Sequence, residues 1–374
     1  KLDNDVWKNI NPEDVRSLLD EYGKTNTYQY FNKFIENFIN ANKIYLNSIR
    51  YETTSFIRSL IKSHPNIPKY ISFSGGKDST VCADLVIKSL GHYSILHVFC
   101  NTTLEYPYTL EYIKRLRENN PKMVIKEVRN KEHDFYEICD DIGVPSSPKR
   151  WCCTIFKTGP ISKKLKALFG DKKLIYFNGI RKSESTLRSK YERISSSNKQ
   201  KIQNQLSISP IINWKEIDVW LYILNEHIDF NYAYRLGFSR VGCYCCPNSS
   251  VRNETLSMIY MNEKAKRWSD YLFQFANKIG AENPYDYVHK GLWKSKQGGK
   301  GIKSYNEVSF SNKVCTIDEN SVSYDLGKNI DEEFYTLFVP FGRVCKNLGR
   351  KLLNEVLVLK GNVPIIAIQV ENET

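Results

Sequence analysis

Two hydrophobic rhythms divide this chain. Between residues 4 and 66 apolar positions recur at helical spacing, with Asn11-Pro12-Glu13-Asp14 as a helix-start signal. Phe31, Phe34, Ile35, Phe38 and Ile39 open a stripe that runs to about Leu46, and a second run, 54–63, stops at His64-Pro65, where proline cannot continue a helix. The pattern predicts an N-terminal helical segment over 1–66, packed onto the main domain. From Lys69 the rhythm changes. Apolar runs at 69–73, 94–100, 123–128, 173–178 and 206–212 predict strands, and amphipathic stretches at 78–90, 106–118, 157–169 and 215–227 predict helices. This alternation implies an α/β fold, a doubly wound, mainly parallel sheet covered on both faces. Ligands of such sheets bind outside the carboxyl ends of the strands. Three polar turns fall at such ends: the one after 69–73, Asn101-Thr102-Thr103, and Gly179-Ile180-Arg181.

The main domain is expected over 67–285. Within it 183–205, rich in Ser, Lys, Arg, Asn and Gln, reads as a mobile polar loop, and helices are expected from about 251 to 278. Residues 286–303 read as a basic linker, with Lys290, Lys294, Lys296, Lys300 and Lys303. Over 304–374 a small α+β appendage is expected, with β-type runs at 322–326, 334–339 and 363–370 around a helix near 344–357.

No run approaches the roughly 18 apolar residues of a membrane span. Residues 1–30 lack the apolar block of a secretory signal, although the chain begins with Lys1 rather than Met. The ten cysteines, without secretory features, suit reduced thiols or a metal site and a cytoplasmic location. Net charge is +13. That favours a polyanionic partner or reflects a Lys/Asn/Tyr-rich composition; charge alone does not separate the two.

Chemistry concentrates in two places. Ser74-Gly75-Gly76-Lys77-Asp78-Ser79, between a predicted strand and helix, has the build of a phosphate cradle: glycines for close backbone approach, hydroxyl donors, a lysine charge and a helix start. It matches neither the Walker pattern nor the three-glycine dinucleotide pattern, and its bland alternative is an ordinary βα turn. The second place is Cys152-Cys153 together with Cys243-Tyr244-Cys245-Cys246. A Cys-Cys pair plus Cys-x-x-Cys offers the four thiolates of a [4Fe–4S] cluster; zinc or no metal at all are the rivals. Cys82, Cys100, Cys139, Cys315 and Cys345 read as scattered buried thiols.

Taken in order, these motifs resemble the phosphoadenylyl-sulfate (PAPS) reductase-like family of the adenine-nucleotide α-hydrolase (PP-loop) superfamily. The resemblance takes in Ser74–Ser79, the turn 101–107, Trp151-Cys152-Cys153-Thr154 with Lys157 and Pro160, Gly179-Ile180-Arg181 with Glu184, Ser185 and Arg188, the stretch 210–220, and 242–247. It implies ATP cleavage between the α and β phosphates, with Mg2+, and catalytic roles for Lys77, Asp78, Arg181 and Arg188. It implies nucleotide contacts from Ser74, Gly75, Gly76, Lys77, Asp78, Ser79, Asn101 and Lys157, and a [4Fe–4S] cluster on Cys152, Cys153, Cys243 and Cys246. Cys245 is extra, either a free thiol beside the cluster or the ligand in a neighbour's place.

Two departures select a branch. Assimilatory reductases of this family carry a catalytic cysteine in a C-terminal Glu-Cys-Gly-x-His segment, which is not found after residue 247, and commonly have an eroded loop, which here is intact. Both point toward ATP consumption. The preferred reading is therefore an adenylating, pyrophosphate-releasing sulfur-transfer enzyme similar to the ATP pyrophosphatases of DNA phosphorothioation systems. Its acceptor would be DNA rather than tRNA, a cysteine desulfurase would supply sulfur, and other subunits of a modification complex would be partners. Transfer RNA thiolation is a second acceptor reading. A PAPS or APS reductase using Cys315, Cys345 or another protein's thiol is the runner-up, and a nucleic-acid-binding redox sensor the non-enzymatic reading.

Overall fold

The computed structural model describes residues 9–22, 28–196, 202, 204–295, 311–314, 322–325, 330, 332–351 and 354–370. The chain divides into two compact units, Lys1–Ile302 and Lys303–Thr374.

In the first unit a six-stranded sheet has the order β3-β2-β1-β4-β6-β5. Its strands are β1 (Lys69–Phe73), β2 (Leu96–Cys100), β3 (Val124–Val128), β4 (Leu174–Phe177), β5 (Ile194–Ser195) and β6 (Gln205–Ile208). All neighbours run parallel except β5, which pairs antiparallel with β6. The stretch read as a polar loop therefore contains an edge strand and two 3-10 turns, Lys182–Glu184 and Arg188–Lys190; 197–201 and 203 lie outside the described residues.

Ahead of the sheet stand α1 (Pro12–Tyr22) and α2 (Tyr28–Ser63). Where two helical runs were expected, α2 is one helix of 36 residues. No Pro or Gly interrupts 28–63, and Leu46, Thr53, Ile57 and Leu60 keep one face buried across the two runs. That face packs with α3 (Lys77–Leu90) and α8 (Glu216–Asn225) on one side of the sheet. The opposite side carries α7 (Gly159–Phe169), with Ile161 and Leu165 against Tyr70, Val98 and Val128. Other helices are α4 (Pro107–Asn119), α5 (Phe135–Ile142), α6 (Trp151–Cys153), α9 (Val251–Tyr260), α10 (Asn262–Lys278) and α11 (Pro284–His289). The pattern reading missed α5, which a capping box of Asp134 and Glu137 starts.

The linker expected from 286 begins later. Residues 284–289 are α11, Leu292–Lys294 is a 3-10 turn with Trp293 buried, and Lys294 pairs with Glu254. Trp293 ties this stretch to the core formed by Phe135, Trp268 and Leu272. Lys296, Lys300 and Lys303 lie outside the described residues.

The second unit contains a hairpin of β7 (Ser311–Val314) and β8 (Val322–Asp325), the short α12 (Glu332–Thr336), and an antiparallel sheet β11-β10-β9. The three strands of that sheet are β9 (Arg343–Cys345), β10 (Val356–Lys360) and β11 (Val363–Ile368). The helix expected near 344–357 is thus replaced at its two ends by β9 and the start of β10. At Gly349 a Cβ would run into the carbonyl of Glu355, and Arg350 donates back to the Glu355 carboxylate at 2.7 Å, a tight turn rather than a helix. The run 334–339, expected as a strand, starts inside α12. Short apolar runs do not distinguish the two by periodicity.

Candidate functional site

β1 and β4 are neighbours at the centre of the sheet, and the chain leaves them in opposite lateral directions, to β2 and, by way of β5 at the edge, to β6. That is a topological switch point, where a crevice opens at the strand ends. The loop after β1 and the loop after β4 meet there. Gly179 touches the start of α3 so closely that a Cβ would stand 2.5 Å from the Asp78 carbonyl and 2.7 Å from the Ser79 nitrogen. Gly75, at φ +73°, makes the reversal after β1, and Gly76 caps α3.

The loop is held by its own hydroxyls. Ser79 Oγ donates to the Gly76 carbonyl at 2.8 Å, accepts from the Ser74 N–H at 3.3 Å and lies 3.1 Å from Ser74 Oγ. Among the described residues no group accepts from the N–H of Asp78 or Ser79, two of the donors that an α-helix start turns toward an anion. Lys77 is buried, its ammonium 3.3 Å from Asp78 Oδ2 and 3.4 Å from Glu216 Oε1. Arg181, also buried, donates from Nε to Asp78 Oδ1 at 2.6 Å and from Nη1 to Ser183 Oγ at 2.9 Å. Arg188 pairs with Glu184. Burial, and then the neighbouring charge of Arg240, hold the Arg188 guanidinium below its ordinary range, and Asp78 and Arg181 act on it too. Lys77, Asp78, Arg181 and Arg188 thus converge.

Four residues that the sequence reading passed over complete the crevice. Asn231 is buried and donates to Thr109 Oγ1 at 2.9 Å and to the Gly75 carbonyl at 3.4 Å. Tyr234 accepts from the Lys77 N–H at 3.1 Å. Val241 would meet a Cβ on Gly76 at 3.3 Å. Arg240 adds a cation, its backbone carbonyl fixed by Asn253 at 3.0 Å. The one signal for these in the sequence is position: 231–241 leads directly into Cys243.

The thiols gather next to this crevice. The segment 104–106 pairs with 242–244: Glu105 bridges Cys243, the Tyr106 N–H donates to Gly242 at 3.2 Å and the Tyr244 N–H to Leu104 at 2.9 Å. Thr102 Oγ1 lies 3.4 Å from Cys243 Sγ and donates to Glu105 at 3.0 Å. A hydrogen bond with Cys153, and then burial, push the Cys152 thiol up, with Cys245 and Cys243 adding to it. Burial followed by Glu105 does the same to Cys243, and burial followed by Cys243 and Cys139 to Cys245. Burial also pushes the Glu105 carboxyl up, against the charge of Lys157. Cys152, Cys243 and Cys245 thus pack in one cluster, with Glu105 against Cys243, while Cys153 and Lys157 act on these groups by hydrogen bonding or charge. Cys246 acts on Cys243 and Cys245, and on Tyr106 as Cys243 also does.

Lys157 sits in the π-turn Thr154–Thr158, on the thiol side. Asn101, at the end of β2, donates to Glu127 of β3 at 2.9 Å and accepts from the Thr103 N–H of its own turn at 2.9 Å. Among the described residues no group of three or more His, Cys, Asp or Glu is arranged around a single metal ion. An open groove of about 550 Å³ lies apart from the loop, lined by Tyr136, Asp140, Arg267 and Tyr271 among others.

Residues 68–249, the stretch that carries both the loop and the thiols, match the description "phosphoadenosine phosphosulfate reductase domain". This segment belongs to that domain family. Two uncharacterized proteins of Methanocaldococcus jannaschii are 29% and 31% identical to the chain over 303 and 279 residues, covering 77% and 73% of it. The chain spans 61% and 63% of their lengths. An adenosine 5'-phosphosulfate reductase of Staphylococcus haemolyticus is 26% identical over 206 residues, 54% of this chain and 76% of that one. Among solved structures, a phosphoadenylyl-sulfate reductase from Candida auris covers 54% of this chain and 95% of its own at 16% identity, with a TM-score of 0.41. The phosphosulfate reductase domain is thus the part of the chain that holds the whole candidate site, while α2 and the second unit lie outside it.

Proposed function

We propose that the chain is a nucleotide-dependent sulfur-transfer enzyme that cleaves ATP to AMP and pyrophosphate and passes sulfur to a nucleic acid, DNA in preference to tRNA. The observation that carries this reading is the intact loop 74–79 at the start of α3, with Lys77 and Arg181 converging on Asp78 beside a pocket of thiols. Adenylation turns a poor oxygen leaving group into AMP. The loop amides and Lys77 take the β and γ phosphates, and Arg181, Arg188 and Arg240 face the α phosphate and the acceptor. Asp78, engaged by both Lys77 and Arg181, fixes where those two charges stand.

A [4Fe–4S] cluster suits the pocket: its donors are thiols on rigid turns, largely withdrawn from water, with the hydroxyl of Thr102 beside Cys243. Cys152, Cys153 and Cys243 would hold it, with Cys246 or the more deeply buried Cys245 as the fourth ligand. Bound, it would supply a metal-held site for sulfur.

A second reading, reduction of adenylyl sulfate to sulfite, is favoured by the relatives that carry that name. One experiment separates the two. The protein is incubated with ATP, a cysteine desulfurase and either duplex DNA or tRNA, and nucleotides are read by mass spectrometry. AMP, pyrophosphate and a thiolated nucleotide are expected. Sulfite from APS with a thiol donor, and no AMP from ATP, would overturn the proposal in favour of the reductase.

A further inference from the structure

Lys77 offers the loop two donors, and both are already engaged by residues from distant parts of the chain. Its backbone N–H, the first of α3, donates to the Tyr234 hydroxyl at 3.1 Å. Its ammonium lies 3.4 Å from Glu216 Oε1 and over the Tyr234 ring, 5.3 Å from the centroid. Tyr234 closes the 3-10 turn Tyr232–Tyr234, its ring sits edge-on to Trp220 at 5.3 Å, and its hydroxyl is also engaged by the Val241 backbone. Glu216 opens α8 with its side chain 60% exposed, so the contact with Lys77 is not imposed by burial. Asp78, the third group on Lys77, differs from these two because Arg181 holds it in place.

A phosphate oxygen at this loop accepts from the same two donors, the first-turn N–H and the ammonium. We propose that Tyr234 and Glu216 are positioning residues that compete with the bound phosphate chain for Lys77. They aim Lys77 and set the affinity, because an incoming oxygen exchanges partners instead of adding one. The exchange weakens binding by about the net worth of a hydrogen bond, roughly 1 kcal/mol or fivefold in Kd for each residue. Its use is release. Pyrophosphate left after cleavage meets two groups in place to take its donors back, which shortens its stay. This inference rests on the phosphate-binding reading of the loop.

The test is calorimetric titration of the full chain with pyrophosphate, for wild type, Tyr234→Phe and Glu216→Gln. Each substitution is expected to tighten Kd about fivefold, with pyrophosphate dissociating correspondingly more slowly in stopped flow. A purely structural role would lower Tm and leave Kd unchanged or weaker, and that result overturns the competition. Glu216→Gln, on an exposed first turn, keeps the test open if Tyr234→Phe fails to fold. Wild type that binds neither pyrophosphate nor ATP would take down the phosphate reading itself and this inference with it, whereas binding unaltered by either substitution defeats this inference alone.

Discussion

Gly179 shows how much one absent methyl group decides. Its backbone lies against the Asp78 carbonyl, so Gly179→Ala forces either the β4 loop or the start of α3 to move by several tenths of an ångström. The expected outcome is a loss of about 1–3 kcal/mol in urea unfolding together with at least tenfold weaker pyrophosphate binding, because the shifted turn carries the loop amides and Arg181 apart. An unchanged affinity would show that the contact is not part of the site. The sequence singled out Gly179, Arg181 and the loop glycines, since each belongs to a motif with a local mechanism. It left Asn231, Tyr234 and Arg240 invisible. These act on Gly75, Lys77 and Arg188 from far along the chain, and a tyrosine or asparagine in a polar stretch has no local signature for such a task.

Among the elements, the central sheet is the most legible, because β1, β2, β4 and β6 are largely buried on both faces, rich in apolar residues and bounded by turn residues. Boundaries set by tertiary contacts are not. The continuity of α2, the edge strand β5 and, in the second unit, β9 and β10 depend on partners that periodicity does not reveal, whereas β8 and β11 fall on runs read as strands. The sheet also contains a titratable element. His97, fully buried on β2, is pushed down to about 4 from its ordinary 6.5 by burial, with its Nδ1 3.0 Å from the Ile95 carbonyl. It is neutral in the fold, while the unfolded chain takes up a proton below about pH 6.5. The unfolded state therefore binds more protons between the two values. Stability contributed by this group is complete above pH 6.5, declines by about 3 kcal/mol as pH falls toward 4, and levels off below that. The difference in unfolding free energy between wild type and His97→Gln, measured from pH 7 to pH 4, should follow this curve. A flat difference would mean that His97 is charged in the fold or already neutral in the unfolded chain.

At the scale of the whole molecule, a net charge of +13 predicts that association with duplex DNA weakens steeply with salt, by about 0.9 per neutralised phosphate in the logarithmic slope. Two lysines of the stretch read as a basic linker are held within the fold. Lys294 is paired with Glu254, whose carboxyl burial pushes up, and Lys290 pairs with Asp286 at 2.7 Å. Lys294→Ser is expected to lower Tm, by leaving Glu254 without its cation, and to leave the salt slope unchanged. A slope reduced by about one would return Lys294 to the nucleic-acid contacts.

The pairing of 104–106 with 242–244 has a consequence for the chain as it is made. Cys152 and Cys153 precede Cys243 by roughly 90 residues, which at ribosomal rates of roughly 5–20 residues per second means about ten seconds of synthesis. Throughout that interval the first two thiols stand without the others, and the turn at Glu105 waits for the strand-like stretch that will bridge it. Agents that oxidise or alkylate thiols are therefore expected to reach Cys152 and Cys153 most readily on the nascent protein, before the stretch that carries Cys243 exists to fold against 104–106.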